Sequence, residues 1–114
     1  MKPYETIFVL DTVLDNETIE KEINKVADII TNPGGKILKL ERWGIKRFAY
    51  PIAKKQQGFY VYIFFEGDPK TPKELEKNYQ LSEFCLRYLT VLYTGEEKTS
   101  LETQEKLELS PEAK

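Results

Sequence analysis

Apolar side chains in this chain recur with two periods, and the switches between them mark six elements. Tyr4 to Leu10 is a β-branched and aromatic run that predicts a first strand, ended by Asp11. Ile19, Ile23, Val26 and Ile30 follow at spacings of four, three and four, the buried stripe of an amphipathic helix. Asp15 is placed to cap that helix, and Leu14 to staple Ile19. Asn32-Pro33-Gly34-Gly35 supplies residues that stop it.

Lys36 to Ile52 predicts a long strand in which Leu38, Leu40, Phe48, Tyr50 and Ile52 share one parity. Gly44 in its middle suggests a bend or bulge. Pro51 has no N–H to give a ladder, which assigns this strand to a sheet edge. Ala53 to Gly58 reads as a polar turn. Phe59 to Glu66 is apolar on both parities, as a central strand is. Thr71-Pro72-Lys73-Glu74 predicts a helix start with Thr71 as cap, and Leu75, Asn78, Tyr79 and Leu81 give it a weaker apolar face. Cys85 to Tyr93 is a last strand.

The order β-α-β-β-α-β predicts an α+β fold of the ferredoxin-like type, with four antiparallel strands and both helices on one face. The first and third strands are expected at the centre, and the other sheet face is left for solvent or a partner. Residues 1–94 form the expected domain. Residues 95–114 lose their aromatics and gain glutamates, and are expected to be a mobile acidic tail.

Composition narrows the chemistry. There is no histidine among the 114 residues, which removes His-based acid/base catalysis and His metal ligands. The single cysteine, Cys85, cannot form an internal disulfide, and its apolar setting suggests a buried structural thiol in a reducing compartment. No run approaches the length of a membrane span, no signal-peptide pattern opens the chain, and there is no glycine-rich phosphate loop. A non-enzymatic, cytoplasmic domain without cofactor or metal is the expectation.

Charge changes the picture once it is divided. The whole chain carries −2. Residues 36–55 hold seven basic side chains against one acid, +6, while the tail holds three lysines against six glutamates, −3. Basic residues interleaved with Trp43, Phe48 and Tyr50 suit a surface that neutralises phosphates and packs aromatics on ribose or bases. Lysines also protect an exposed edge strand from pairing with other chains, and charge alone leaves both explanations standing.

Two further segments, Ile7 to Leu10 and Gly58 to Phe64, are similar to the paired motifs of RNA-recognition modules. Gln57 stands where that motif has a basic residue, Tyr60 where it has a small one, and Val61 where it has a stacking aromatic. Core and sheet packing explains these residues better.

Lys2, Tyr4-Glu5, the block Trp43-Gly44-Ile45-Lys46-Arg47-Phe48-Ala49-Tyr50-Pro51-Ile52, then Gln57-Gly58-Phe59-Tyr60 and Leu86-Arg87-Tyr88-Leu89 are more specific. Together they resemble the bacterial small-subunit ribosomal protein six family over residues 1–93. Phe48 replaces a usual leucine, a change of core size. Ile45 replaces a common basic residue, which removes a possible phosphate contact.

The resemblance implies the same ferredoxin-like fold, with Tyr4, Thr6, Phe8 and Leu10 facing the helices. It implies no catalytic activity, no membrane and no small-molecule substrate. The expected partners are the central domain of small-subunit ribosomal RNA and the eighteenth small-subunit protein. The residues expected at RNA are Lys2, Lys46, Arg47, Lys54, Lys55 and Arg87. Those expected at the partner protein are Trp43, Ile45, Tyr60, Tyr62 and Leu89. Ordinary sheet-surface placement explains Arg87 equally well, and simple edge packing explains Trp43. A regulatory ligand- or protein-binding domain on the same fold, without RNA, is the alternative; a small hydrolase on this fold lacks the residues it needs.

Overall fold

The computed structural model describes residues 1–52 and 54–93. The expected acidic tail lies outside the described residues. Six elements follow in order: β1 (Lys2–Leu10), α1 (Asn16–Thr31), β2 (Lys36–Ile52), β3 (Lys55–Gly67), α2 (Thr71–Leu81) and β4 (Cys85–Leu92). The four strands form one antiparallel sheet in the order β2-β3-β1-β4. β1 and β3 are central and β2 is an edge, as the lack of an N–H at Pro51 demands.

Helix α1 begins where its sequence signal lies. The Asp15 carboxylate accepts a hydrogen bond from the Thr18 backbone N–H at 2.8 Å. The Thr18 side chain, and after it this backbone contact, hold the carboxyl below its ordinary value. Ile19, Ile23, Val26 and Ile30 are all buried, and Leu14 packs against the same core. The helix ends in a turn, with Gly34 N donating to Thr31 O and Gly35 N to Ile30 O.

Helix α2 starts differently from expectation. Thr71 is its first residue and is buried, while Lys70 at the cap makes no side-chain capping bond. Asp68 holds the entry instead, its carboxylate accepting from Lys70 N and its carbonyl from Thr71 N. The buried face is Thr71, Leu75 and Tyr79. Leu81, expected on that face, is exposed because the helix ends there and its side chain leaves the packed layer.

The main core lies between sheet and helices. Tyr4, Phe8, Leu10, Val61, Ile63, Phe65 and Cys85 from the sheet meet the buried stripes of α1 and α2. Phe8 rests on the ring of Tyr79, with centroids 5.3 Å apart. Phe8 therefore cannot stack on a base, which removes the RNA-recognition-module geometry. Thr6, buried in the same layer, shares hydrogen bonds of 2.8 Å with the hydroxyls of Tyr79 and Thr90.

Strand β2 does not keep one face in phase. Its register against β3 shifts between Ile37 and Lys39 and again between Arg42 and Gly44. Each bulge adds one residue and exchanges the faces. Leu40 therefore packs against the helix-side core while Phe48 joins a cluster on the opposite face. Gly44 lies at the second bulge with φ +85°, a conformation that only glycine adopts without strain. The hairpin beyond it is tighter than expected. Ile52 already pairs with Lys55, so the expected turn over 53–58 is mostly strand.

Candidate RNA and protein interface

The sheet face away from the helices carries a second cluster: Ile7, Val9, Phe48, Tyr60, Tyr62 and Leu86, with Trp43, Phe64 and Leu89 packed at its margin. Alternation along β1 puts Glu5 on this side with Ile7 and Val9. The Glu5 carboxylate is 1% exposed and accepts a hydrogen bond from the Tyr62 hydroxyl at 2.5 Å. A buried carboxylate beneath a sheet face has no signature in composition or spacing. It became visible only through the pairing that sets β1 beside β3.

Trp43 sits over this layer. Its indole stacks on Tyr62 at 5.4 Å between centroids and 11° between planes. Its ring N–H donates to Glu41 Oε1 at 3.2 Å. The ammonium of Lys46 lies 4.7 Å from the Trp43 ring centroid and 5.7 Å from that of Tyr60. Phe48 leans on Tyr60, with centroids 6.3 Å apart. This side of the sheet is thus closed by its own aromatic side chains and is not an open stacking platform.

The expected protein-partner residues separate accordingly. Tyr60 and Tyr62 are 1% and 4% exposed, so they support the face from beneath and offer little surface themselves. Trp43 and Leu89 are half-buried and reach its margin. Ile45 pairs with Phe59 and shares the helix-side parity, so it is not grouped with the other four; it is 60% exposed. The bulge before Gly44 set that placement.

The expected RNA-contacting residues separate too. Lys2 is exposed at the start of β1. Arg47 and Lys54 are exposed on the β2–β3 hairpin, and neither has an ion-pair partner among the described residues. Lys55 is exposed and 3.4 Å from the Asp11 carboxylate. Lys46 is half-buried against the aromatic pair. Arg87 departs from expectation: opposite Val9 on the same sheet face, it is only 6% exposed. The β4 register shift next to it draws that part of the strand into the cluster.

Two further cations of the basic segment are engaged within the domain. Arg42 is bound two-pronged by Glu20 of α1, and Lys39 is 3.6 Å from Glu41. The +6 of residues 36–55 therefore does not all face outward. What remains for a ligand is concentrated at the far end of the hairpin, where Lys46, Arg47 and Lys54 lie within a few paired rungs of Lys55, which also pairs with Asp11. Clustered cations on a two-stranded arm can follow a phosphate backbone and supply no catalytic group. Among the described residues no three His, Cys, Asp or Glu side chains gather as a metal site, and no helix is long and apolar enough to cross a membrane. Cys85 is buried, with its thiol 3.3 Å from the Arg87 carbonyl.

Comparison with known proteins gives a consistent result. The profile of the family described as "Ribosomal protein S6" matches residues 3–92. The chain is 37% identical over 91 residues to small ribosomal subunit protein bS6 of Clostridium acetobutylicum, covering 80% of this chain and 96% of that one. It is 40% identical over 90 residues to bS6 of Phocaeicola vulgatus, covering 79% of each. The crystal structure of 30S ribosomal protein S6 from Thermotoga maritima superimposes with a TM-score of 0.77 at 32% identity, covering 92% of this chain and 94% of that one. Helix-backed antiparallel sheet, basic hairpin and matched sequence agree, and the chain belongs to the ribosomal protein S6 family.

Proposed function

We propose that this protein is a non-enzymatic structural constituent of the small ribosomal subunit, acting in the cytoplasm as part of the ribosome. It binds the central domain of small-subunit ribosomal RNA jointly with the eighteenth small-subunit protein. Family membership supports the assembly. The observation that supports RNA as the ligand is the concentration of Lys46, Arg47, Lys54 and Lys55 at the end of the β2–β3 hairpin.

The mechanism is positional. Lys2, Lys46, Arg47, Lys54 and Lys55 neutralise phosphates at a folded RNA junction. Arg87 contributes from beneath the sheet face, since its burial leaves little of it for direct contact. Trp43 and Leu89, backed by Tyr60 and Tyr62, offer the partner protein an apolar margin; Ile45 is an exposed apolar group on the other side of the hairpin. Residues 1–94 carry only +1, so the domain holds RNA weakly alone. A more basic partner shares the electrostatic work, and each protein then stabilises the other's bound state.

Filter binding to the ribosomal RNA fragment at fixed salt tests this. Affinity rises steeply when the partner protein is added. Equal affinity with and without it removes the joint mechanism. Binding no tighter than to an unrelated RNA of equal length removes the RNA function.

A further inference from the structure

We infer that Trp43 is a positioning residue for Lys46: stacked on Tyr62, it holds the Lys46 ammonium in place for one RNA phosphate. This inference rests on the RNA-binding function proposed above and names how one of its contacts is built. A lysine on an exposed hairpin ordinarily samples many rotamers, and binding has to freeze them. Here the ammonium is 4.7 Å from one ring centroid and 5.7 Å from a second. Both distances lie within the range in which an aromatic face attracts a cation.

The platform is itself fixed. Tyr62 is buried and its hydroxyl is bound to the buried Glu5 carboxylate. Trp43 lies nearly parallel on Tyr62 and is held from the side by its ring N–H to Glu41. Four residues from three regions of the sheet, Glu5, Tyr62, Trp43 and Lys46, thus connect a buried carboxylate to a half-exposed ammonium. The bulge at Trp43–Gly44 makes this possible, because it turns Trp43 to the same side as Lys46. Without the extra residue the two side chains, three apart on a strand, would point to opposite faces.

The test is a double-mutant cycle on affinity for the ribosomal RNA fragment, measured with the partner protein present. The variants are Trp43→Leu, Lys46→Ala and the pair. Lys46→Ala lowers the slope of log affinity against log salt by about one phosphate contact. Trp43→Leu weakens binding about threefold to tenfold and lowers the same slope, yet costs nothing further in the Lys46→Ala background. Trp43→Phe keeps an aromatic face and restores most of the loss. Trp43 is the only tryptophan, so its emission in the free protein reads the contact directly and changes with Lys46→Ala.

An equal cost of Trp43→Leu in both backgrounds, or an unchanged salt slope, overturns the inference and leaves Trp43 as a partner-protein or packing residue. If Trp43→Leu does not fold, the Trp43→Phe variant and the emission change decide, and no emission change on Lys46→Ala overturns it. Failure of the wild-type protein to prefer the ribosomal fragment over unrelated RNA is a separate result, and it rejects the RNA function itself.

Discussion

Arg42 on β2 and Glu20 on α1 form a two-pronged ion pair, Nε to Oε2 at 2.8 Å and Nη2 to Oε1 at 2.6 Å. It ties the first helix to the edge strand and takes one guanidinium out of the basic segment. The hydrogen bonds from Arg42 hold the Glu20 carboxyl below its ordinary value against a smaller opposing effect of desolvation, and the guanidinium charge adds to this. Both side chains keep nearly half their surface in water, so the pair is worth at most about 1 kcal/mol. Glu20→Gln should lower stability by a few tenths to about 1 kcal/mol at neutral pH, and less at high salt. A carboxyl lowered on folding stabilises above its unfolded value and loses that contribution as pH falls through its folded value. Variant and wild type should therefore converge in strong acid, read from urea midpoints across the acid range.

Gly58 has no room for a side chain. A Cβ there would lie 2.2 Å from Val9 Cγ1 and 2.8 Å from Phe48 Cζ. Gly58→Ala should force the second cluster apart and cost on the order of 2–3 kcal/mol or more, as overpacking does. A urea midpoint within error of wild type would show that Val9 and Phe48 both move aside freely.

Tyr79 gives the fold an alkaline limit. Burial pushes its hydroxyl well above 10.0, over the opposing hydrogen bond with Thr6, and the Cys85 thiol adds to the rise. The unfolded chain releases this proton near the ordinary tyrosine value while the folded chain keeps it. Stability from this group is thus complete below that value and declines as pH rises above it. Tyr79→Phe should cost about 1 kcal/mol at neutral pH, the worth of a hydrogen bond. Its stability should then fall less steeply than that of wild type on going from about pH 9 to about pH 11. Parallel declines would assign the alkaline sensitivity to other groups.

Lys54 at the hairpin end has φ +64°, the left-handed region, which costs a lysine roughly 1 kcal/mol. Lys54→Asn relieves that strain, because asparagine tolerates this conformation. Stability should rise by a few tenths to about 1 kcal/mol while RNA affinity and its salt slope fall. Opposite signs in the two measurements would identify a backbone held strained at a binding position. A fall in both would show that Lys54 also supports the fold.

The sequence carried the element order, the capping carboxylate of Asp15, the edge position of β2 and the bulge at Gly44. These follow from local periodicity, turn chemistry and the missing N–H of proline, which need no knowledge of distant residues. The motif block from Trp43 to Ile52 carried the family as well. The conformation of residues 95–114 was an expectation from composition alone.

Tertiary structure decided which members of those patterns are accessible. The bulge before Gly44 exchanged the faces of β2, so Leu40 and Phe48 parted and Ile45 turned away from Trp43. Strand pairing buried Tyr60, Tyr62 and Arg87, which by type alone passed for surface contacts. It also brought Glu5 to Tyr62 and Glu20 to Arg42 across long stretches of chain. A one-residue shift in register moves every later side chain to the other face of a strand, and composition holds no record of it. The basic character of the hairpin was written in the amino acids; which cations stay free to meet a phosphate was set by the partners that folding supplied.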